Sequence, residues 1–361
     1  MLSGIKILDL SRVLAGPLCT MMLGDLGASV LKVERPDGGD DTRGWGPPFD
    51  PRGESAYYLS VNRNKLSLAA DFAEPADLAL IRKLADEADV LVENFRPGTL
   101  ERRGLSAGEL MERNPKLVWC TISGFGAELA RPGYDFVVQA ESGWMSITGE
   151  PSGAPMKHGV ALVDVITGKD AAIAILAALV ERGVTGRGRV VHVSLEASAR
   201  AALVNVAQNA LVSGSPPKRW GNAHANLVPY QLFDAADRPM VIAVGADGQW
   251  LACARTLGLD ELASDDALRT NAGRIGARER VVTEITGKLK ERPAAEWVAL
   301  LDAAGVPCGV VRTVSEALAE SGASALTGLP PSVEGSVRRA PPRLGEHSTV
   351  VREHGWGAFN G

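Results

Sequence analysis

The residue in the most unusual chemical setting is Asp164. It stands in Gly159-Val-Ala-Leu-Val-Asp-Val-Ile-Thr-Gly168, a carboxylate within an otherwise apolar run that reads as a strand leading into a helix over 167–182. Burying a carboxylate there costs free energy unless it caps the helix or takes part in chemistry. As a cap it would accept the first backbone N–H groups. As a reactive group, a partly desolvated carboxylate serves as nucleophile or base. Both readings stay open on these residues alone.

Other chemistry-bearing residues gather in loops that follow strands. Residues 34–45, Glu-Arg-Pro-Asp-Gly-Gly-Asp-Asp-Thr-Arg-Gly-Trp, hold two arginines and a tryptophan in a glycine-rich loop. Residues 62–65 (Asn-Arg-Asn-Lys) and 93–98 (Glu-Asn-Phe-Arg-Pro-Gly) add cations, and Arg102 and Arg103 follow. Singly, each is a solvated loop charge. Together they suit an anionic ligand with a flat ring, such as an adenine nucleotide. The loop bearing Gly245, Gly248 and Gln249 lies between a strand and a helix, and reads either as a tight turn or as a cover over a ligand. Residues 218–226 put Lys218, Arg219, Trp220 and His224 close together near a domain boundary, where substrate clefts form. Several motifs are missing. The turn Ser11-Arg-Val-Leu-Ala-Gly-Pro17 has one glycine where a dinucleotide fingerprint needs several, so neither nicotinamide nor flavin is expected. No phosphate-loop, zinc-protease or Gly-x-Ser-x-Gly motif occurs, and the histidines have no metal-ligand spacing.

These loops need strands and helices to hold them. Apolar runs at 5–10, 30–33, 90–93, 117–123 and 189–195 alternate with helical patterns, among them 75–88, 105–113 and 167–182. That alternation predicts an α/β fold with a large, Rossmann-like open parallel sheet. The breaker cluster Ser213-Gly-Ser-Pro-Pro217 marks a boundary. A hairpin at 230–244, helices near 248–257, 278–290 and 294–304, and a strand at 306–311 then predict a smaller α+β domain. The expected division is 1–213, 214–315 and a segment 316–361 that returns to the large domain.

The chain has 361 residues, 45% hydrophobic and 22% charged, which suits about two globular cores. A net charge of −5 and a pI near 5.7 give no basic footprint for nucleic acid or an anionic membrane. Aromatic content of 5% argues against a base-stacking platform. The four cysteines (Cys19, Cys120, Cys253 and Cys308) are far apart, so neither a metal centre nor a redox pair is expected, and scattered reduced thiols fit a cytoplasmic location. The first twelve residues interrupt their apolar stretch with Lys6, Asp9 and Arg12, so no secretory segment is expected. The longest apolar run, 171–180, is too short to span a bilayer.

Taken in order, these segments resemble the class III CoA-transferases over nearly the whole chain. The resemblance is carried by Leu8-Asp-Leu-Ser-Arg-Val-Leu-Ala-Gly-Pro17, Leu31-Lys-Val-Glu-Arg35, Asp41-Thr-Arg-Gly-Trp45, Asn62-Arg-Asn-Lys65, Val92-Glu-Asn-Phe-Arg-Pro-Gly98, Gly133-Tyr-Asp135, the Asp164 segment and Pro342-Arg-Leu-Gly-Glu-His347. Residues 218–224 and 228–231 look most like the branch that handles dicarboxylic acids. The resemblance implies an interlocked homodimer and acyl-CoA as substrate, with Asp164 forming a transient aspartyl-CoA thioester. It implies that Tyr134, Asp135 and the loop of Gly245, Gly248 and Gln249 complete the catalytic site. It further implies that Arg12, Val13, Ala15, Arg35, Ala70, Asn94, Phe95, Arg102 and Arg103 hold coenzyme A. Arg12, Lys218, Arg219 and His224 are candidates for the far carboxylate of the acid. Two departures stand out: Leu14 replaces a glutamine of the formyl-CoA enzymes, and the stretch 320–331 is short. An α-methylacyl-CoA racemase would need a histidine where this sequence reads Gly133-Tyr-Asp135, and a non-catalytic CoA-binding protein would not need Asp164.

Overall fold

In the computed structural model, which describes residues 1–360, the chain forms two compact units. The first comprises residues 1–145, 157–217 and the chain from Ser321 onward; the second comprises 146–156 and 218–320.

Helices and strands alternate through the first unit. In order they are β1 (Lys6–Asp9), α1 (Ala15–Asp25), β2 (Ser29–Glu34), α2 (Ala56–Leu59), β3 (Lys65–Ala69), α3 (Pro75–Asp86), β4 (Val90–Glu93), α4 (Ala107–Arg113), β5 (Val118–Ser123), α5 (Asp135–Glu141), α6 (Trp144–Ile147), α7 (Leu162–Thr185), β6 (Val190–Ser194), α8 (Leu195–Ala201) and α9 (Val204–Ser213). The chain crosses into the second unit within α6 and again after α9. The six strands pair in parallel in the order β3-β2-β1-β4-β5-β6. Successive side chains alternate between two cores, as the period of a strand requires. Ile7, Val30, Val90 and Val118 enter one cluster with α1 and α7, and Leu8, Leu31, Leu91 and Trp119 enter the other with α3. A sheet buried on both faces explains why these strands read as continuous apolar runs.

The expected parallel sheet is present, with one strand that the sequence did not reveal. β3 begins at Lys65 and carries Ser67, yet both side chains are fully buried. Lys65 is neutralised by Asp9 at 3.0 Å and donates to the Asn62 side chain and the Pro17 carbonyl. Arg63 pairs with Asp25 and grips the carbonyls of Thr327 and Leu329, and Asn64 bonds to residues 336–339. The cations of 62–65 therefore anchor the returning C-terminal arm and close buried ion pairs. They are not free to meet an anionic ligand. The arm continues along the outer edge of β3, where Ser348 accepts from Ala69 and the His347 amide donates to Ser67, so the edge is covered.

The second unit holds β7 (Tyr230–Asp234), β8 (Pro239–Ala243), α10 (Asp247–Thr256), α11 (Asp260–Ser264), α12 (Asn271–Gly276), α13 (Arg278–Leu289), α14 (Ala294–Ala303), β9 (Cys308–Val310) and α15 (Val314–Ala319). Its three strands form an antiparallel sheet, β7-β8-β9, over a core containing Trp250, Ile285 and Trp297. The first unit also holds α16 (Ser348–His354), followed by a 3-10 helix at Gly355–Asn360. No helix among the described residues is long and apolar enough to cross a membrane.

Candidate active site

The strand order reverses between β1 and β4, because β2 and β3 lie to one side and β5 and β6 to the other. Loops leaving the carboxyl ends of β1 and β4 diverge, and ligands of open parallel sheets bind in the crevice so formed. Here that crevice is a cavity of about 230 Å³, lined by Arg12–Ala15 after β1, Asn94–Pro97 after β4, Ser123 and Gly124 at the end of β5, Leu129 and residues 131–134, and Asp164. The two diverging loops are stitched across the crevice. The Arg12 amide donates to the Asn94 side chain at 2.9 Å, and Asn94 Nδ2 donates back to the Arg12 carbonyl at 2.8 Å.

The turn after β1 is strained and tightly packed. Val13 has φ +70°, which a β-branched residue rarely adopts. Gly16 sits so close to Ser11 that a Cβ there would lie 2.3 Å from the Ser11 Cβ. This turn delivers the N-terminus of α1 to the cavity, with Leu14 and Ala15 in its wall and no acidic residue in the first helical turn. A helix start of this kind favours negative charge.

Asp164 reaches the same cavity from the first turn of α7. The helix starts at Leu162, so the expected strand over 159–166 and a helix from Thr167 are corrected. The reason lies 29 residues upstream: Asp135 Oδ1 accepts from the amides of Val163 (2.8 Å) and Asp164 (3.2 Å) and supplies the cap that no local side chain provides. Asp164 itself makes no capping bond. Gln139 donates to the other Asp135 oxygen at 2.6 Å and fixes the cap. Burial, reinforced by the Asp135 charge, pushes the Asp164 carboxyl up to about 7. One turn further on, Gly168 lets α7 press on α1, where a Cβ would stand 2.7 Å from the Ala15 carbonyl oxygen.

Sequence reasoning passed over a residue coupled to the acid pair. Tyr57, on α2, has its hydroxyl pKa raised by burial and by the charges of Asp164, Asp135 and Asp40. Its ring is edge-on to Trp45 at 5.0 Å. An aromatic residue in a short helix carries no sequence signal of this role. The cavity rim on the other side relies on two glycines in van der Waals contact: a Cβ on Gly133 would lie 2.4 Å from the Gly124 Cα.

The expected site residues divide into groups. Arg12, Val13, Ala15, Asn94, Phe95, Tyr134 and Asp164 line the cavity, with Asp135 buried directly behind Asp164. Arg12 lies over the Phe95 ring and 3.7 Å from Asp41, and its Nε is buried without a hydrogen-bond partner. Arg35 shares Asp41 at 2.6 Å and does not line the cavity. Arg102 and Arg103 lie exposed on a short helical turn apart from it. The Ala70 side chain is fully buried in the core cluster that holds Leu31, Leu66 and Leu91. Arg43 is also a structural cation: it pairs with Glu34 and Glu54 and stacks on Tyr58 in the interior.

Gly245, Gly248, Gln249, Lys218, Arg219 and His224 belong to the second unit. Gln249 Oε1 accepts from the Gly245 and Ala246 amides at 2.9 and 3.2 Å, which fixes the turn into α10. Arg219 donates to the carbonyls of Ser146, Glu150 and Gly153 and binds the segment 146–156. His224 accepts from the Asn226 amide through Nδ1, and Lys218 is exposed.

The sequence pattern of CoA-transferase family III matches residues 2–348. The chain belongs to CoA-transferase family III. This CoA-transferase is 40% identical to human succinyl-CoA:glutarate CoA-transferase, with 97% of the chain and 85% of the human protein covered. It is also 40% identical to succinate–glutarate CoA-transferase of Agrobacterium fabrum (strain C58), with 97% and 94% covered. The crystal structure of a CaiB/BaiF family protein from Brucella suis superposes with a TM-score of 0.85 at 39% identity, covering 97% of this chain and 98% of that one. The transferase thus has the fold expected of the family, and its Asp164 cavity lies at the switch point of the sheet.

Proposed function

We propose that this CoA-transferase moves CoA from succinyl-CoA to a dicarboxylic acid of the glutarate kind, through an aspartyl-CoA thioester at Asp164. One observation carries the reading: a carboxylate of raised pKa opens into the switch-point cavity beside the N-terminus of α1. The names of the relatives supply the substrate class.

The chemistry is a relay of acyl transfers. The Asp164 carboxylate attacks the thioester carbonyl, the C–S bond breaks, and a mixed anhydride and CoA thiolate result. The thiolate attacks the Asp164 carbonyl and expels the donor carboxylate, leaving the aspartyl thioester. The acceptor carboxylate attacks this thioester and frees the thiolate again. Attack of the thiolate on the acceptor carbonyl forms the new acyl-CoA and restores Asp164. Every step exchanges one acyl bond for another, with no net redox change.

A carboxylate whose pKa lies near 7 is more basic, and so a better nucleophile, than an ordinary one, yet is about half ionised at neutral pH. Negative charge that develops on each tetrahedral oxygen is met by backbone N–H groups at the start of α1, where Leu14 offers no side-chain donor. Arg12 is the candidate for the far carboxylate or a CoA phosphate. Tyr134 borders the reacting group, and Arg35, Arg102 and Arg103 hold the nucleotide end. On sequence grounds we assign water exclusion to the loop of Gly245, Gly248 and Gln249, with Lys218 and His224 nearby in sequence as secondary candidates for the acid. A histidine needed for racemisation is missing from the cavity lining among the described residues.

We also propose the interlocked homodimer, supported by apolar residues left exposed on α7 (Ile173, Val180, Val184) and α9 (Val204, Leu211, Val212), and a cytoplasmic location, supported by four free cysteines. The deciding experiment mixes the protein with succinyl-CoA and glutarate, follows glutaryl-CoA, and treats the working enzyme with hydroxylamine. Wild type is expected to form glutaryl-CoA and to yield an Asp164 hydroxamate by mass spectrometry, and Asp164→Ala to do neither. Undiminished turnover by Asp164→Ala defeats the reading.

A further inference from the structure

Beneath the cavity wall lies an ion pair that no ligand can touch. Lys32 and Asp40 are 3.0 Å apart with both side chains fully buried, and neither lines the cavity. Such a pair contributes little net stability relative to apolar packing, so its presence calls for another account.

We propose that Asp40, fixed by Lys32, is a positioning residue for CoA transfer: it holds the Val13 turn in its left-handed conformation and so directs the backbone at Leu14 and Ala15 toward the reacting carbonyl. This rests on the assignment of Asp164 as the acyl carrier. Both Asp40 oxygens accept the Val13 amide, at 3.3 and 3.2 Å. That amide belongs to the residue with φ +70°, where a β-branched side chain is disfavoured without an external hold. Asp40 is itself over-determined, because the Thr42 amide and hydroxyl donate to it at 3.0 and 2.8 Å. Lys32 closes the frame by donating to the Ser11 carbonyl at 2.8 Å, so one ammonium grips both the start of the turn and its anchor. Asp40 also caps the short helical turn that presents Asp41 to Arg12. One buried carboxylate therefore sets two segments of the cavity wall.

The test compares Asp40→Asn, Val13→Gly and the double variant, with circular dichroism and thermal melts to establish folding. Steady-state kinetics with succinyl-CoA and glutarate supply kcat and KM. Asn in place of Asp40 turns an amide toward the Lys32 ammonium and loosens the hold. Glycine adopts positive φ without penalty, so the turn no longer depends on it. Asp40→Asn is expected to lower kcat by roughly ten- to a hundredfold, with smaller changes in KM. Val13→Gly/Asp40→Asn is expected to recover most of that loss relative to Val13→Gly alone, a rescue that a purely structural role would not give. If Asp40→Asn does not fold, Lys32→Met/Asp40→Asn, in which neither charge is buried alone, is read in the same way. A folded Asp40→Asn enzyme with wild-type kcat, or a double variant that shows no rescue, overturns the positioning role while leaving CoA transfer intact. A wild-type protein unable to transfer CoA overturns both.

Discussion

One oxygen of Asp135 accepts a hydrogen bond from the backbone amide of Asp164, at 3.2 Å. The carboxylate that starts helix α7 is therefore also the like charge that acts on Asp164. Capping and tuning are a single arrangement: Asp135 is held by the Val163 and Asp164 amides and by Gln139, while Asp164 is left without a donor and shifts up to about 7.

A pH dependence follows. With Asp164 as the proposed nucleophile only its ionised form reacts, so kcat/KM is expected to fall as pH drops through about 7. Asp135→Asn keeps an acceptor for the helix amides but removes the like charge, which lowers the Asp164 pKa. Its acid limb should move to lower pH in profiles recorded side by side. An unmoved limb would show that another group controls the rate.

Stability should respond with the opposite sense. Asp164 is raised from 3.8 in the unfolded chain to about 7, so between those values the folded state binds more protons. Its contribution is favourable below about pH 4 and is lost as pH rises toward 7. Asp164→Asn should therefore melt above wild type at pH 8 and close to it near pH 4, in paired thermal scans.

Gly168→Ala tests the contact that brings α7 to α1. The added methyl would meet the Ala15 carbonyl oxygen at 2.7 Å and Leu18 at 3.3 Å. Overpacking of this kind costs about 1–3 kcal/mol. Because the strain falls beside the start of α1, kcat should drop even under conditions where the variant is fully folded. A variant with wild-type kcat would separate that contact from catalysis.

Two arginines that look alike in the sequence should behave differently. Arg43→Met leaves Glu34 buried without its cation, a loss of about 3–5 kcal/mol, and should lower Tm while sparing KM for acyl-CoA in the folded fraction. Arg12→Met removes a cation from the cavity wall and should raise KM for acyl-CoA or acid by roughly tenfold, with little change in Tm. Urea melts and substrate titrations distinguish the two, and a reversal of the pattern would count against the assignments.

Much of the fold was legible because strands buried on both faces write themselves as apolar runs. β1, β2, β4 and β5 were read in this way, and β6, the hairpin of β7 and β8 and the helices between were read from their own apolar patterns although β6 to β8 are exposed on one side. β3 was not, because Lys65 and Ser67 occupy inward positions. Their burial depends on Asp9, 56 residues away, and on Glu34, to which the Ser67 hydroxyl donates. The start of α7 was missed for a related reason: its cap is Asp135, not a neighbour in sequence.

The order of the motifs alone pointed to the family, and the alternation of strand and helix patterns to the parallel sheet, because residue types at fixed intervals carry that information. Which cations remain free, and which are locked in the interior, was decided only when the chain folded. Arg12 and Arg43 sit in similar loops, yet one borders the cavity and the other stacks on Tyr58 between two glutamates. Tyr57 feels the charges of Asp164 and Asp135 only through the path of α2. Charge–charge energy depends on distance and burial, and neither is a property of a residue's position along the chain.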